Sequence, residues 1–488
     1  MLQKIPHIAA ILFGLVMGVL ALTAPGTCDG GDSIMHFIIA NAAFAHPENF
    51  LNHWGKPLFT LLAAPFAYWG FTSMKIFNVI VSAMAIFFTC RIAQMLLIPR
   101  VAMIALLMGC APMYITNALS GLTEPLLALT LSISLWLCLR KQLLWATILV
   151  SFTPFMRSEG LIICGVFALY LLFKRQFKLL PLLAAGHIVY GIAGYPCHKD
   201  FLWVLRRIPY ATLDHVYGSG ELFHFVKEIH VVAGRTAFIF LPAGLLYALI
   251  CAVKYLKNVF AKQNTKSDIP QKHLWGQMST EEFWLVYGWS IVFIVAHSLF
   301  WYLGIFASFG LLRVLIGIMP LLAIISLRGI NLLLRPIEYF SPKAANMATF
   351  AFAALIAIQP YLMLNWQTHF GLDPLQRGFD SAIKFLGDKP KNNLCYFDLS
   401  YGIIALKKDF YDPTQYRSTR DLHDGKPIPD GSIVIWDDWY SVVEAHNPLE
   451  KLENDPRLIL RKCFEEEEKQ YKKIMKVCVF EKRMPTDL

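Results

Sequence analysis

A polytopic α-helical membrane protein of about eleven transmembrane helices, with a small C-terminal α/β domain, is the fold this sequence predicts. Three observations predict it. Hydrophobic residues make up 56% of the chain and charged residues only 16%, against about 25% charged in an ordinary soluble protein. The apolar residues gather in runs such as Ile8–Leu22, Val101–Cys110, Leu126–Leu139, Leu161–Phe173 and Thr349–Ile358. Beyond about residue 365 these runs stop and short alternating segments replace them.

The apolar runs place spans near 5–23, 72–96, 101–118, 121–139, 142–156, 159–173, 179–195, 234–256, 283–303, 309–327 and 344–364. Each is read against the roughly 20 residues needed to cross a hydrocarbon core. The first run is read as a retained helix rather than a cleaved leader. Lys and Arg then orient the set. Lys4, Arg91 with Arg100, Arg140 with Lys141, and Lys174, Arg175 and Lys178 share one side. Lys254, Lys257, Lys262, Lys266 and Lys272, and then Arg328, Arg335 and Lys343, join them. The positive-inside rule makes that side cytoplasmic, with the C-terminal domain outside. The net charge of +10 is thereby used at helix ends. No basic stripe with interleaved aromatics suggests nucleic acid.

Pro57–Gly70 is apolar but short for a span, and counting it would put the later basic loops opposite Lys4. It is read as an interfacial or re-entrant helix on the outer face. Asp32–Phe44 suits a helix along the membrane surface. The outer face then collects ionisable residues, which at membrane depth are functional candidates by default. They are Asp29, Asp32, His46, Glu48, His53 and Lys56 in the first loop, and Glu124, Arg157, Glu159 and Arg313 at helix ends. Lys199, Asp200, Arg206, Arg207, Asp214, His215 and Glu221 follow in the loop 196–233.

In the C-terminal domain, 366–488, strands are expected at Asn393–Asp398, Ser432–Asp437, Leu458–Cys463 and Lys476–Glu481. Helices are expected at Phe379–Leu386 and Ser441–His446. The Glu465–Glu468 run with Lys469, Lys472 and Lys473 reads as a solvated turn or helix face. The ten cysteines show no CxxC or Cys/His metal spacing. Cys463 and Cys478 could pair if this end is extracytoplasmic.

Three segments together resemble the GT-C superfamily of membrane glycosyltransferases. Gly31-Asp32-Ser33 stands ahead of Gly55-Lys56-Pro57-Leu58. This looks like the Asp-Glu and Lys-Pro-Pro-Leu of lipid A aminoarabinose transferases and protein O-mannosyltransferase relatives, with Ser33 for the Glu and Leu58 for the second Pro. Ser120-Gly121-Leu122-Thr123-Glu124-Pro125-Leu126 is similar to the acidic opening of a later span. Arg157-Ser158-Glu159-Gly160-Leu161 is similar to Arg-Pro-Glu-Gly. Gly310-Leu311-Leu312-Arg313 with Pro320 is a weaker fourth. The likeness covers most of residues 1–340. It implies an inverting transfer of a sugar from a polyprenyl-phosphate donor to a lipid, glycan or protein acceptor, in a bacterial inner membrane. It implies no obligatory metal, although some members use a carboxylate-bound divalent ion.

Such a transfer needs a base for the acceptor hydroxyl and cations for the departing phosphate. Asp32 is the leading candidate for the base and Asp29 its rival; the plainer role for Asp32 is a helix cap. Lys56, Arg313 and Arg157 are the candidates for the donor phosphate, although Lys56 could simply snorkel. Glu124, Glu159 and His53 are candidates for substrate positioning. Against this, Glu124 suits any helix's first turn, and Arg157 with Glu159 suits a plain ion pair. A transporter would instead show paired repeats and helices broken near mid-membrane; a non-catalytic scaffold would show no turnover.

Overall fold

The computed structural model describes residues 2–209, 217–262, 278–424, 427–468 and 473–483. Asp214, His215, Lys266, Lys272, Lys469 and Lys472 lie outside the described residues. The chain divides into two compact units: Met1–Thr23 with Ile39–Leu364, and Ala24–Ile38 with Asn365–Leu488.

The first unit is helical. Among the described residues, seven helices are long and apolar enough to cross a membrane: Ile5–Thr23, Phe71–Met95, Phe177–His198, Ala237–Lys254, Thr280–Leu303, Leu312–Phe340 and Pro342–Met363. Glu124–Leu139, Leu143–Phe155 and Gly160–Phe173 are apolar but shorter. At 1.5 Å per residue such helices span about 20–25 Å, less than the core of a bilayer. The expected span 101–118 is two helices, Ala102–Gly109 and Pro112–Ala118. Pro112 has no N–H to continue the first helix, and it pushes Ala111 into an extended conformation. Among the described residues the eleven expected positions thus carry seven long helices, three shorter ones and, at 101–118, a pair of short helices. Pro57–Ala67 is an 11-residue helix, too short to cross.

Burial sorts these helices. The apolar window of Leu312–Phe340 is 94% buried, so that helix runs through the middle of the bundle. Pro342–Met363 is 11% buried and Ile5–Thr23 28%. Ile11, Leu12, Leu15, Val16, Val19 and Leu22 are exposed along one helix. A continuous apolar face of that kind is stable against lipid and not against water.

One end of the bundle is tied by charge. Arg328 donates from Nε and Nη2 to both oxygens of buried Glu282, each at 2.7 Å. Glu281 takes Lys141 at 2.9 Å and Lys174 at 3.3 Å. Arg100 reaches Asn331, Glu338 and Thr349. Lys141 and Lys174, from two of the basic loops, thus share Glu281, and Arg328 from a third takes the adjacent Glu282.

The second unit carries a five-stranded sheet. Its strands are β1 (Cys395–Tyr396), β2 (Tyr416–Arg417), β3 (Ile433–Asp437), β4 (Leu458–Glu468) and β5 (Lys473–Lys482), in the order β2-β1-β3-β5-β4. β1 is parallel to both β2 and β3, whereas β5 is antiparallel to β3 and β4. Tyr396, Val434, Trp436, Leu458 and Phe480 form its core. The Glu465–Glu468 run is the end of β4 and not a turn or helix face, with Glu465 opposite Lys476. Cys463 and Cys478 face each other across β4 and β5 and are joined by a disulfide. Helix Pro374–Leu386 packs on β4 and β5 and starts with a capping box between Asp373 and Gln376.

Candidate functional site

In the first unit a tight turn gathers the predicted residues. It follows Leu143–Phe155 and leads into Gly160–Phe173, with Arg157 N–H donating to Thr153 O and Gly160 N–H to Arg157 O. Only glycine fits at 160: a Cβ there would lie 2.2 Å from the Thr153 carbonyl carbon. Three consecutive side chains of this turn make its polar contacts. Arg157 Nη1 lies 2.7 Å from Glu124 Oε1 and donates to Thr123 Oγ1 at 3.0 Å. Ser158 Oγ accepts from Lys56 Nζ at 3.0 Å. Glu159 Oε1 accepts from Arg157 Nη2 at 2.8 Å.

Arg313 closes the group. Its Nε lies 3.4 Å from the same Glu124 Oε1. It sits in a 3-10 segment, Leu312–Ile318, that runs into the long central helix. The approach to Arg313 is fixed by Gly310, whose φ is +65° and whose carbonyl is bonded to His224 Nε2 at 2.9 Å. Glu124 is fully buried at the start of Glu124–Leu139, where the helix N-terminus favours a carboxylate. Its Oε2 has no hydrogen-bond partner among the described residues. Lys56 is buried with φ of +63°, immediately before Pro57 opens its helix.

The structure thus brings Glu124, Arg157, Glu159, Arg313 and, through Ser158, Lys56 into one largely buried polar group. His53 is turned differently: its Nε2 is bonded to Val204 O at 2.7 Å and its ring meets Trp203 edge-on. Burial and then the Lys56 charge hold its imidazole below the usual histidine range. His297 was missed from sequence. It is buried in Thr280–Leu303, with Nε2 3.8 Å from Glu159 Oε1 and Phe225, Phe293 and Phe300 around the ring. A lone ionisable residue inside an apolar span was the available signal.

Asp29 and Asp32 belong to the second unit. Asp29 Oδ1 accepts from Gly31 N–H at 2.8 Å and Ser33 N–H at 3.4 Å. Asp29 therefore carries a capping role at the helix Asp32–Ala42, in whose first turn Asp32 lies. In the same unit burial pushes the Asp373 carboxyl up to about 6, and the Asp29 charge adds to the rise. Burial lifts the Asp437 carboxyl to about 7, with Asp398 adding. Among the described residues no group of three or more His, Cys, Asp or Glu is arranged to hold a metal ion.

No family model and no curated protein matches the sequence. Solved structures do match the fold. ArnT from Cupriavidus metallidurans bound to undecaprenyl phosphate aligns with a TM-score of 0.58 at 12% identity, over 96% of this chain and 97% of that one. The same protein in its apo state aligns with a TM-score of 0.60 at 12% identity, over 97% of each. The chain shares the fold of this lipid A aminoarabinose transferase, a GT-C membrane protein, from its first helix through its C-terminal sheet.

Proposed function

We propose that the chain is an integral membrane glycosyltransferase that moves a sugar from a polyprenyl-phosphate donor to a lipid, glycan or protein acceptor outside the cytoplasm. The observation that carries the reading is the buried group of Lys56, Arg157 and Arg313, held by Glu124, Glu159 and Ser158. Three cations drawn together inside an apolar bundle need an anionic ligand or a carboxylate network, and a phosphodiester supplies the first. The matching fold holds a polyprenyl phosphate in one of its solved structures. The disulfide Cys463–Cys478 suits an oxidising compartment for the second unit.

The chemistry is a single displacement with inversion. The acceptor hydroxyl attacks the anomeric carbon while Asp32 takes its proton. The bond from that carbon to the phosphate oxygen breaks, and its electron pair stays on the phosphate. Lys56, Arg157 and Arg313 stabilise that charge. The unbonded Oε2 of Glu124 offers an acceptor for a sugar or acceptor hydroxyl. The test is sugar transfer by purified protein with Asp32→Asn and Asp29→Asn. Asparagine caps about as well as aspartate, so Asp29→Asn keeps its bonds to Gly31 and Ser33 and should retain transfer. Asp32→Asn should lose about 10²–10⁴ in rate at unchanged thermal stability. Near-normal transfer by a folded Asp32→Asn protein would end the assignment.

A further inference from the structure

The second unit has no role in the chemistry just described beyond carrying the loop with Asp29 and Asp32. Its architecture gives it one. β1 lies between two parallel neighbours, and the chain passes from β1 out to β2 and back across to β3. The carboxyl ends of β1 and β3 therefore flank a switch point, the position at which open α/β sheets ordinarily take a ligand. Asp398 follows β1 and Asp437 ends β3. The Ser441 hydroxyl is 2.8 Å from Asp398 Oδ2 and 3.2 Å from Asp437 Oδ2, tying the two strand ends together. Asp437 Oδ1 accepts from the N–H groups of Trp439 and Tyr440. Tyr440 is thus pinned to the end of a central strand.

The chain's own Gly30–Gly31 backbone approaches this tyrosine. A Cβ on Gly30 would lie 2.8 Å from Asp373 Oδ2 and 3.1 Å from the Tyr440 hydroxyl; one on Gly31 would lie 3.2 Å from the same hydroxyl. Glycine at 30 lets the Asp29–Asp32 turn come so close, and a Cβ at 31 would press on the same hydroxyl. Two further ties hold it. Gln376 Nε2 donates to Thr27 Oγ1 at 2.8 Å while its Oε1 accepts from Asp373 N–H. Gly26 N–H donates to Phe370 O at 2.8 Å.

We infer that Tyr440, Asp373 and Gln376 are positioning residues: with the second unit's sheet behind them, they set the Asp29–Asp32 turn so that the base meets the acceptor hydroxyl. The inference rests on the proposed transfer reaction for its effect on rate. The hold on the turn can be read without any reaction, because Cys28 adjoins Asp29 and is exposed. Cys197 is also exposed and Cys110, Cys164 and Cys251 are partly so, so a background carrying Cys110→Ser, Cys164→Ser, Cys197→Ser and Cys251→Ser makes maleimide labelling report on Cys28.

The experiment uses the full chain in nanodiscs with Tyr440→Phe, Gln376→Leu and Gly30→Ala. A misplaced base costs between about tenfold and a hundredfold in turnover. The expected result is that loss in kcat, a donor KM within about twofold of wild type, and faster Cys28 labelling in at least Gln376→Leu and Gly30→Ala. The split matters because a merely structural role would lower stability without separating kcat from KM. Wild-type kcat and labelling in all three folded variants would overturn the inference. If one variant fails to fold, the other two decide. Faster labelling with unchanged kcat would overturn the catalytic half and leave the turn held for another purpose. Full activity of both Asp29→Asn and Asp32→Asn is a different outcome: it removes the base reading, and the labelling still reports on the turn.

Discussion

Replacing Glu124 by glutamine tests whether this carboxylate anchors the cationic group or only faces substrate. Glu124 Oε1 is shared by Arg157 at 2.7 Å and Arg313 at 3.4 Å, and the residue has no exposed surface. Removing one partner of a buried ion pair costs about 3–5 kcal/mol, because the remaining charge is left uncompensated. Arg157 keeps Glu159 at 2.8 Å, so the lower end, about 3 kcal/mol, is the expectation. At roughly 2 °C per kcal/mol for a large unit, the melting temperature should fall by about 6 °C. The assay is thermal unfolding of purified protein followed by tryptophan fluorescence, with polyprenyl phosphate binding measured alongside. A double-mutant cycle with Arg313→Met should give a coupling of about 1–3 kcal/mol if Glu124 holds that guanidinium. A Glu124→Gln protein that melts within about 1 °C of wild type, with no coupling to Arg313, would refute the anchoring argument. Its function would then lie with the unbonded Oε2 alone.

Two other outcomes follow from the geometry. Lys56→Met should weaken polyprenyl phosphate binding about tenfold or more, the loss of a charge-assisted hydrogen bond; Ser158→Ala, which removes the hydroxyl that orients Lys56 Nζ, should weaken it by less than about tenfold. Titration of the purified variants with lipid phosphate decides, and unchanged affinity in Lys56→Met removes it from the site. Asp437 makes a pH prediction: burial raises its carboxyl from 3.8 to about 7, so the folded state holds the proton longer than the unfolded chain. The associated stability is present in full below about pH 4 and is lost as pH rises through about 7. Asp437→Asn should therefore flatten the decline between those values, by at most about 4 kcal/mol; an unchanged pH dependence of melting in the full chain would show that Asp437 does not carry it.

The fold was legible where the bilayer dictates it. A helix that crosses a bilayer must be long and apolar, so Ile5–Thr23, Phe71–Met95 and Pro342–Met363 stand close to their expected positions. Shorter elements were harder to read, and burial is not what separates them, since the 94%-buried Leu312–Phe340 is the longest helix of the set. Glu124–Leu139 and Gly160–Phe173 are short, and Pro112 breaks 101–118 into two pieces. In the second unit β3 and β5 were readable from apolar runs, whereas β2 has two residues and no period to read. β4 misled for a physical reason. It is an edge strand, and edges are blunted with charges that deter further pairing. Glu465–Glu468 therefore looked like a solvated turn.

The cationic group was legible because each member is an expensive residue in an apolar setting, and charges there must find partners. Arg157, Glu159, Glu124 and Arg313 converge on one another in the structure. The same reasoning applied to His297 would have found it. Ser158 could not be found that way, since a serine in a turn has no cost that demands a partner. The Asp29–Asp32 turn is a further case. Its sequence, Asp-Gly-Gly-Asp, announces a turn and nothing about what presses on it. The tight fit at Gly30, and the lesser one at Gly31, comes from Asp373 and Tyr440, which stand at the other end of the chain. Sequence continuity assigned the turn to the membrane region; contact assigns it to the unit of the C-terminal sheet. A short loop bound to a folded domain at a distance in sequence acquires that domain's rigidity. A carboxylate that must meet a hydroxyl within hydrogen-bond reach has use for such rigidity.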